Sequence, residues 1–298
     1  MRILVTGGSG MLGHVLVRAL LTSHEVTGVS KNGNYDTRLC DLTNPEEVKK
    51  LFSGRRFDLV IHTAAYSDVD GCERNPKLAH ESNALTTKYL AAACRPARVP
   101  FIYISTDYVF DGRQTALYSE KDLTCPINVY GMTKLEGEHY AADAPLSVII
   151  RTSWLFGPGN PNNFVNAILA RLRSEKAAKV LADQEDSPTY TRDLALAIQK
   201  IGQYAESFSK HNPGKEFHDT FQVCNAGVTT RFEMTREIKR ILGLREVRVE
   251  KLDRLPSEHR PALRPRFASM STAHYEFLFK TKLRRWQDSL KDYLSENN

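Results

Sequence analysis

Tyr130 and Lys134 stand four residues apart in the segment Tyr130-Gly131-Met132-Thr133-Lys134. At that spacing both side chains fall on one face of a helix. A free tyrosine has a pKa of about 10 and is a reluctant acid near neutral pH. A neighbouring ammonium favours the phenolate and lowers that value. The pair suits delivery of a proton to a carbonyl that is receiving a hydride. Upstream, Ser105-Thr106-Asp107 offers a hydroxyl, that of Thr106, to hydrogen-bond such a carbonyl. Tyr-x-x-x-Lys alone is a common accident on helices. Its order after a glycine loop and a Ser-Thr pair gives it weight.

That glycine loop is Gly7-Gly8-Ser9-Gly10-Met11-Leu12-Gly13, between an apolar strand and a helix. Gly7 permits a tight turn, Gly10 lets backbone approach a pyrophosphate, and Gly13 lets helix pack on strand. The helix N-terminus, which includes Met11 and Leu12, adds N–H groups and partial positive charge. A dinucleotide is the expected ligand. The second strand ends at Ser30-Lys31-Asn32, where an NAD site usually carries an acid. Lys31 would attract a 2′-phosphate, so NADPH is expected, with NADH as the alternative. Asp41 and Leu42 are placed to meet the adenine. Ala64, Ala65 and Tyr66 let the cofactor lie close. Lys134 can also hold the nicotinamide ribose.

Other chemistries lack their residues. No Gly-x-Ser-x-Gly elbow is present. The nine histidines show no His-Glu-x-x-His or similar spacing, so no catalytic metal is expected. The five cysteines are scattered, with no Cys-x-x-Cys, which reads as reduced thiols in a cytoplasmic protein. No secretory leader is evident, and no apolar run reaches the roughly 18 residues of a membrane span. The net charge of +6 lies in residues 231–298, with 16 Lys/Arg against 10 Asp/Glu, while the remainder balances at 25 each. A basic lobe of this kind suits an anionic small molecule, and no nucleic-acid motif accompanies it.

The elements that must position these residues alternate strand and helix. Strands are expected at Ile3–Thr6, Glu25–Val29, Leu59–Thr63, Phe101–Ser105 and Val148–Arg151. Helices are expected at about 11–21, 45–52, 76–95 and 129–142. This is the pattern of an α/β, Rossmann-type doubly wound parallel sheet. Asn44-Pro45-Glu46-Glu47 is a strong helix start. After Trp154 comes a loop, Gly157–Pro161, then helices near 163–173 and 190–202. Glu206–Gly214 reads as an exposed loop. A strand near 219–223, a helix near 231–242, an irregular stretch 255–266 and a helix near 283–294 complete the chain. Two lobes follow: residues 1–153 with about 188–224 for the dinucleotide, and a smaller α/β substrate lobe of about 154–187 with 225–298.

At these motifs the chain resembles the extended short-chain dehydrogenase/reductases, and within them the dTDP-4-dehydrorhamnose reductase family. Ser105-Thr106-Asp107-Tyr108-Val109-Phe110-Asp111-Gly112 resembles the family's strand-four signature, and Val129–Glu138 its catalytic helix. Val69-Asp70, Arg151–Phe156, Asn163-Phe164, Asp183-Gln184 and Ser187-Pro188-Thr189 match further family segments, so the likeness spans nearly the whole chain. The resemblance implies reduction by NADPH of the C4 keto group of dTDP-4-dehydro-L-rhamnose. It assigns catalysis to Thr106, Tyr130 and Lys134, and sugar contacts to Asp107, Tyr108 and Trp154. Tyr108 stands where the related dehydratases place a glutamate, which argues against a 4,6-dehydratase. A nucleotide-sugar C4 epimerase remains an alternative.

One segment departs from the family. Its usual Arg-Pro-x-Asn-Ser-x-Leu reads Arg264-Pro265-Arg266-Phe267-Ala268-Ser269-Met270 here. Arg264 could still meet the substrate diphosphate. The altered pair leaves room for another nucleotide-linked sugar. It also leaves room for a regulatory role, since the chain is similar to the beta subunit of methionine adenosyltransferase. The partner expected is thus a nucleoside-diphosphate sugar, with no nucleic acid and no membrane. A homodimer is compatible with this reading.

Overall fold

The computed structural model describes residues 1–35, 37–159, 163–175, 177–252 and 260–296. Asn160 and Pro161 of the expected loop, and residues 255–259 of the expected irregular stretch, lie outside them.

The cofactor half begins with β1 (Arg2–Thr6), α1 (Met11–Leu20), β2 (Glu25–Ser30), β3 (Arg38–Leu39), α2 (Pro45–Phe52) and β4 (Leu59–His62). It continues with α3 (Val69–Arg74), α4 (Pro76–His80), α5 (Thr86–Cys94), β5 (Phe101–Thr106), α6 (Val129–Ala141) and β6 (Leu146–Thr152). Then come β7 (Leu155–Phe156), α7 (Phe164–Ser174), β8 (Ala177–Leu181), β9 (Thr189–Tyr190), α8 (Thr191–His211) and β10 (Phe217–Gln222). The chain ends in α9 (Arg231–Ile241), β11 (Arg248–Leu252), α10 (Ala273–Phe279) and α11 (Trp286–Glu296).

Seven strands form one parallel sheet in the order β10-β6-β5-β4-β1-β2-β3. Strands of such a sheet are covered on both faces, and β1 shows why its sequence is apolar throughout. Ile3 and Val5 pack with Leu12 and Leu16 of α1 and Ile198 and Ile201 of α8. Leu4, on the opposite side of the pleat, packs with Leu51 of α2, Leu90 of α5 and Ala141 of α6. Strand order reverses at β1, between β2 on one side and β4 on the other. A crevice opens at the carboxyl ends of the strands at such a switch point. A separate core of Phe156, Ile168, Leu172, Val180, Met234, Ile238 and Trp286 holds the C-terminal elements together.

Three expectations need correction. The helix expected over 76–95 is interrupted by one π-helical turn, Glu81–Leu85, between α4 and α5. That turn carries Asn83, which accepts from the Tyr66 backbone N–H at 2.7 Å and donates to the Thr133 hydroxyl at 3.1 Å. Glu206–Gly214 is not a loop up to His211, because α8 continues. Tyr204 and Phe208, one turn apart, both pack against Phe217. Short elements with little periodicity went unread: β3, α3, β7, β8, β9, β11 and α10.

Candidate active site

The crevice is a cleft of about 880 Å³, running from the glycine loop past the ends of β4 and β5 to the C-terminal lobe. Gly7 adopts φ +66°, and a Cβ there would lie 2.7 Å from the Ala64 backbone. A Cβ on Gly13 would lie 2.1 Å from the Gly7 carbonyl oxygen. These two glycines are therefore required by the packing of loop, helix and β4. Gly10 precedes α1 and faces the cleft with Met11 and Leu12. Ala64, Ala65, Tyr66, Asp41 and Leu42 also line it. Lys31 does so too, but its ammonium is paired with Asp41 at 3.2 Å.

The pair Tyr130 and Lys134 lies on α6, whose start is set by Asn128 accepting from the Gly131 N–H at 2.8 Å. Gly131 and Gly137 let this helix close on its neighbours: a Cβ at either would lie 2.2 Å from Tyr108 O or Tyr103 Oη. Lys134 is buried, donates to the Ile104 carbonyl at 2.6 Å and sits 4.1 Å from the Tyr103 ring centroid. Burial pushes its pKa down to about 7, against an opposing pull from Glu138. Burial also raises the Tyr130 phenol above its usual value, opposed by the Thr106 hydroxyl and reinforced by Asp107. The expected lowering of Tyr130 by the Lys134 ammonium is not found in the ligand-free cleft. Tyr130 is thus held as a neutral phenol, the form that donates a proton.

Thr106, at the end of β5, donates to Asp107 Oδ1 at 2.9 Å and accepts from the Tyr108 N–H at 3.2 Å. Tyr108 meets Tyr130 edge-on, with ring centroids 5.8 Å apart. Trp154 lines the cleft between β6 and β7 at φ +42°. Arg231, the first residue of α9, lies over it at 5.1 Å and donates to Gln184 at 3.0 Å.

Arg264, the expected diphosphate contact, is paired within the protein. Its two terminal nitrogens each lie 2.7 Å from an Asp70 oxygen, and it does not line the cleft. It ties the C-terminal segment to α3 instead. Phe267 and Ala268 do not line the cleft either; their backbones pair with Glu185. Among the described residues the guanidinium that lines the cleft is that of Arg231, which sequence reasoning missed. Asp186, beside Asp107, was missed as well. Its only signal was its place inside Asp183–Thr189, between the matched residues.

The family model described as the RmlD substrate binding domain matches residues 1–298. The chain belongs to this family. Among curated members, the dTDP-4-dehydrorhamnose reductase of Mycolicibacterium smegmatis is 35% identical over 98% of this chain and 84% of its own. The spore coat polysaccharide biosynthesis protein SpsK of Bacillus subtilis is 31% identical over 100% and 98%. Among solved members of the family, the dTDP-4-dehydrorhamnose reductase of Bacillus anthracis, in complex with NADP, aligns with a TM-score of 0.88. It is 29% identical, over 99% of both chains. A UDP-galactose 4-epimerase, at 20% identity and a TM-score of 0.79, shares the fold.

Proposed function

We propose that this protein is an NADPH-dependent reductase of the C4 keto group of dTDP-4-dehydro-L-rhamnose or a closely related nucleotide-linked 4-keto-6-deoxy sugar. The observation that carries this is the convergence of Thr106, Tyr130 and Lys134 on the inner wall of a cleft whose outer wall is the glycine loop. Curated family members named dTDP-4-dehydrorhamnose reductase, and the NADP complex of one solved member, support it.

The residues fit the cofactor. The exposed N-terminus of α1 offers N–H groups to a pyrophosphate, and Gly10 leaves no side chain in the way. Lys31, paired with Asp41, would meet the 2′-phosphate, and Lys134 would hold the nicotinamide ribose. When bound, NADPH supplies the hydride. The Thr106 hydroxyl, turned from Asp107, would orient the carbonyl, and Tyr130 would give its phenolic proton to the carbonyl oxygen. The phenolate left behind is reprotonated from solvent. Asp107, Tyr108, Trp154 and Arg231 hold the sugar nucleotide. We assign residues 1–153 with 188–224 to the cofactor and 154–187 with 225–298 to the substrate.

The test is NADPH oxidation with dTDP-4-dehydro-L-rhamnose, with Tyr130→Phe alongside. Turnover is expected in the native protein, falling by roughly 10²- to 10⁴-fold in the variant. Tight NADPH binding without turnover of intact substrate would overturn this reading and favour a regulatory subunit.

A further inference from the structure

Two carboxyl groups close the inner end of the cleft. Asp107, just past β5, is 3% exposed, and Asp186, in the loop before β9, is 7% exposed; both line the cleft. Each has one oxygen occupied by a neighbouring hydroxyl. Thr106 donates to Asp107 Oδ1 at 2.9 Å, and Ser153 donates to Asp186 Oδ1 at 3.1 Å. Asp107 Oδ2 is buried and receives no N–H or hydroxyl, and the remaining hydrogen-bonding neighbour of this carboxyl is Asp186. Among the described residues no cation forms an ion pair with either carboxyl; the nearby Arg231, whose charge favours the ionised form of Asp186, donates to Gln184 and lies over Trp154.

The arrangement cannot relax cheaply. The Asp186 backbone exchanges two hydrogen bonds with Thr229, at 3.0 and 2.9 Å. The Asp107 carbonyl accepts from the Phe110 N–H at 3.0 Å. Two carboxyl groups set side by side out of water do not both ionise without a donor or cation between them. Burial, and then the Asp186 charge, accordingly push Asp107 well above the usual carboxylate range. A pair of this kind favours sharing one proton, whose place a donor group on a substrate can take.

We propose that Asp186 is a specificity-determining residue that, with Asp107, selects a sugar ring bearing a hydrogen-bond-donating substituent, a hydroxyl or an amino group, over a ring that lacks one. The inference rests on the reading of the cleft as a nucleotide-sugar site and goes beyond it. It assigns Asp186 a part in choosing the sugar. A ring with a donor lets the pair give up its shared proton and accept from the ligand, whereas a ring without one gains no hydrogen bond there.

The experiment measures calorimetric affinities of the NADP⁺-loaded protein for dTDP-L-rhamnose and for its 2-deoxy, 3-deoxy, 2-amino and 3-amino analogues. Native protein, Asp186→Asn and Asp186→Gly are compared. One deoxy analogue is expected to bind the native protein at least about tenfold more weakly than the parent, and both substitutions are expected to shrink that ratio to below about threefold. At that carbon, tighter binding of the amino analogue identifies a charged donor, and tighter binding of the parent a neutral one. Deoxy analogues all within threefold of the parent would overturn the proposal. So would substitutions that weaken parent and deoxy ligands equally, as lost packing does. Failure of every dTDP-hexose to bind would overturn both this inference and the reductase reading. Binding with the expected ratios but without turnover of the keto sugar would sink the reductase reading alone.

Discussion

Lys134 shows how a buried residue of the cleft is held at a cost to the fold. Its ammonium is enclosed, with one carbonyl and one aromatic face for company. In the unfolded chain a lysine keeps its proton up to about pH 10. In the folded protein it releases it near 7. Between those values the unfolded state binds more protons, so this group's contribution to stability rises with pH. Below about pH 7 the buried charge is a full penalty. Lys134→Met is therefore expected to raise the melting temperature of the ligand-free protein, by roughly 5 °C or more at pH 6 and by less at pH 9. Turnover is expected to be lost. An unchanged or lowered melting temperature at pH 6 would show that the lysine is not a burden on the fold.

The helix that carries Tyr130 and Lys134 is fixed to the sheet by an ion pair beneath the cleft. Glu138, one turn past Lys134 on α6, accepts from Arg151 of β6 at 3.0 and 2.7 Å and from the Ser105 hydroxyl of β5 at 2.5 Å. Both charged side chains are less than a tenth exposed. Removing one partner leaves the other charge buried and alone. Glu138→Ala is expected to destabilise the protein by roughly 3–5 kcal/mol, read by urea denaturation. A loss below about 1 kcal/mol would mean that water replaces the carboxylate, which is the behaviour of an exposed pair. The π-helical turn is a second such device, since it sets Asn83 against the Tyr66 backbone at the cleft wall.

At the scale of the whole molecule, the cleft is shared between two cores that different stretches of chain build. The glycine loop and α6 pack with the central sheet, whereas Arg231 belongs to α9, whose Met234 and Ile238 lie in the C-terminal core. Arg231→Ala is expected to raise KM for the nucleotide sugar by about tenfold to a hundredfold, since a cation and its stacking are lost. NADPH affinity should move by less than about twofold. An equal loss for both ligands would place Arg231 in the architecture rather than at the substrate. Among the described residues no helix is long and apolar enough to cross a membrane.

The parallel sheet, the glycine loop and the Thr106, Tyr130 and Lys134 set were legible because each rests on local rules. Buried strands are uniformly apolar, the loop's glycines meet a steric demand within a few residues, and i, i+4 spacing is a property of one helix. The short elements β3, β8 and β11 were not legible, because two to five residues carry too little periodicity. The partners of charged side chains were not legible either. The partner of Arg264 is Asp70, 194 residues away in sequence and set against both its nitrogens. Arg231 and Asp186 looked like ordinary polar residues until the C-terminal lobe closed over the sheet. The sequence by itself determined the parallel sheet, the steric form of the glycine loop and the shared helical face of Tyr130 and Lys134. Only the tertiary structure decided which charges are already paired and which face the cleft, because pairing depends on distances between segments that no local pattern encodes.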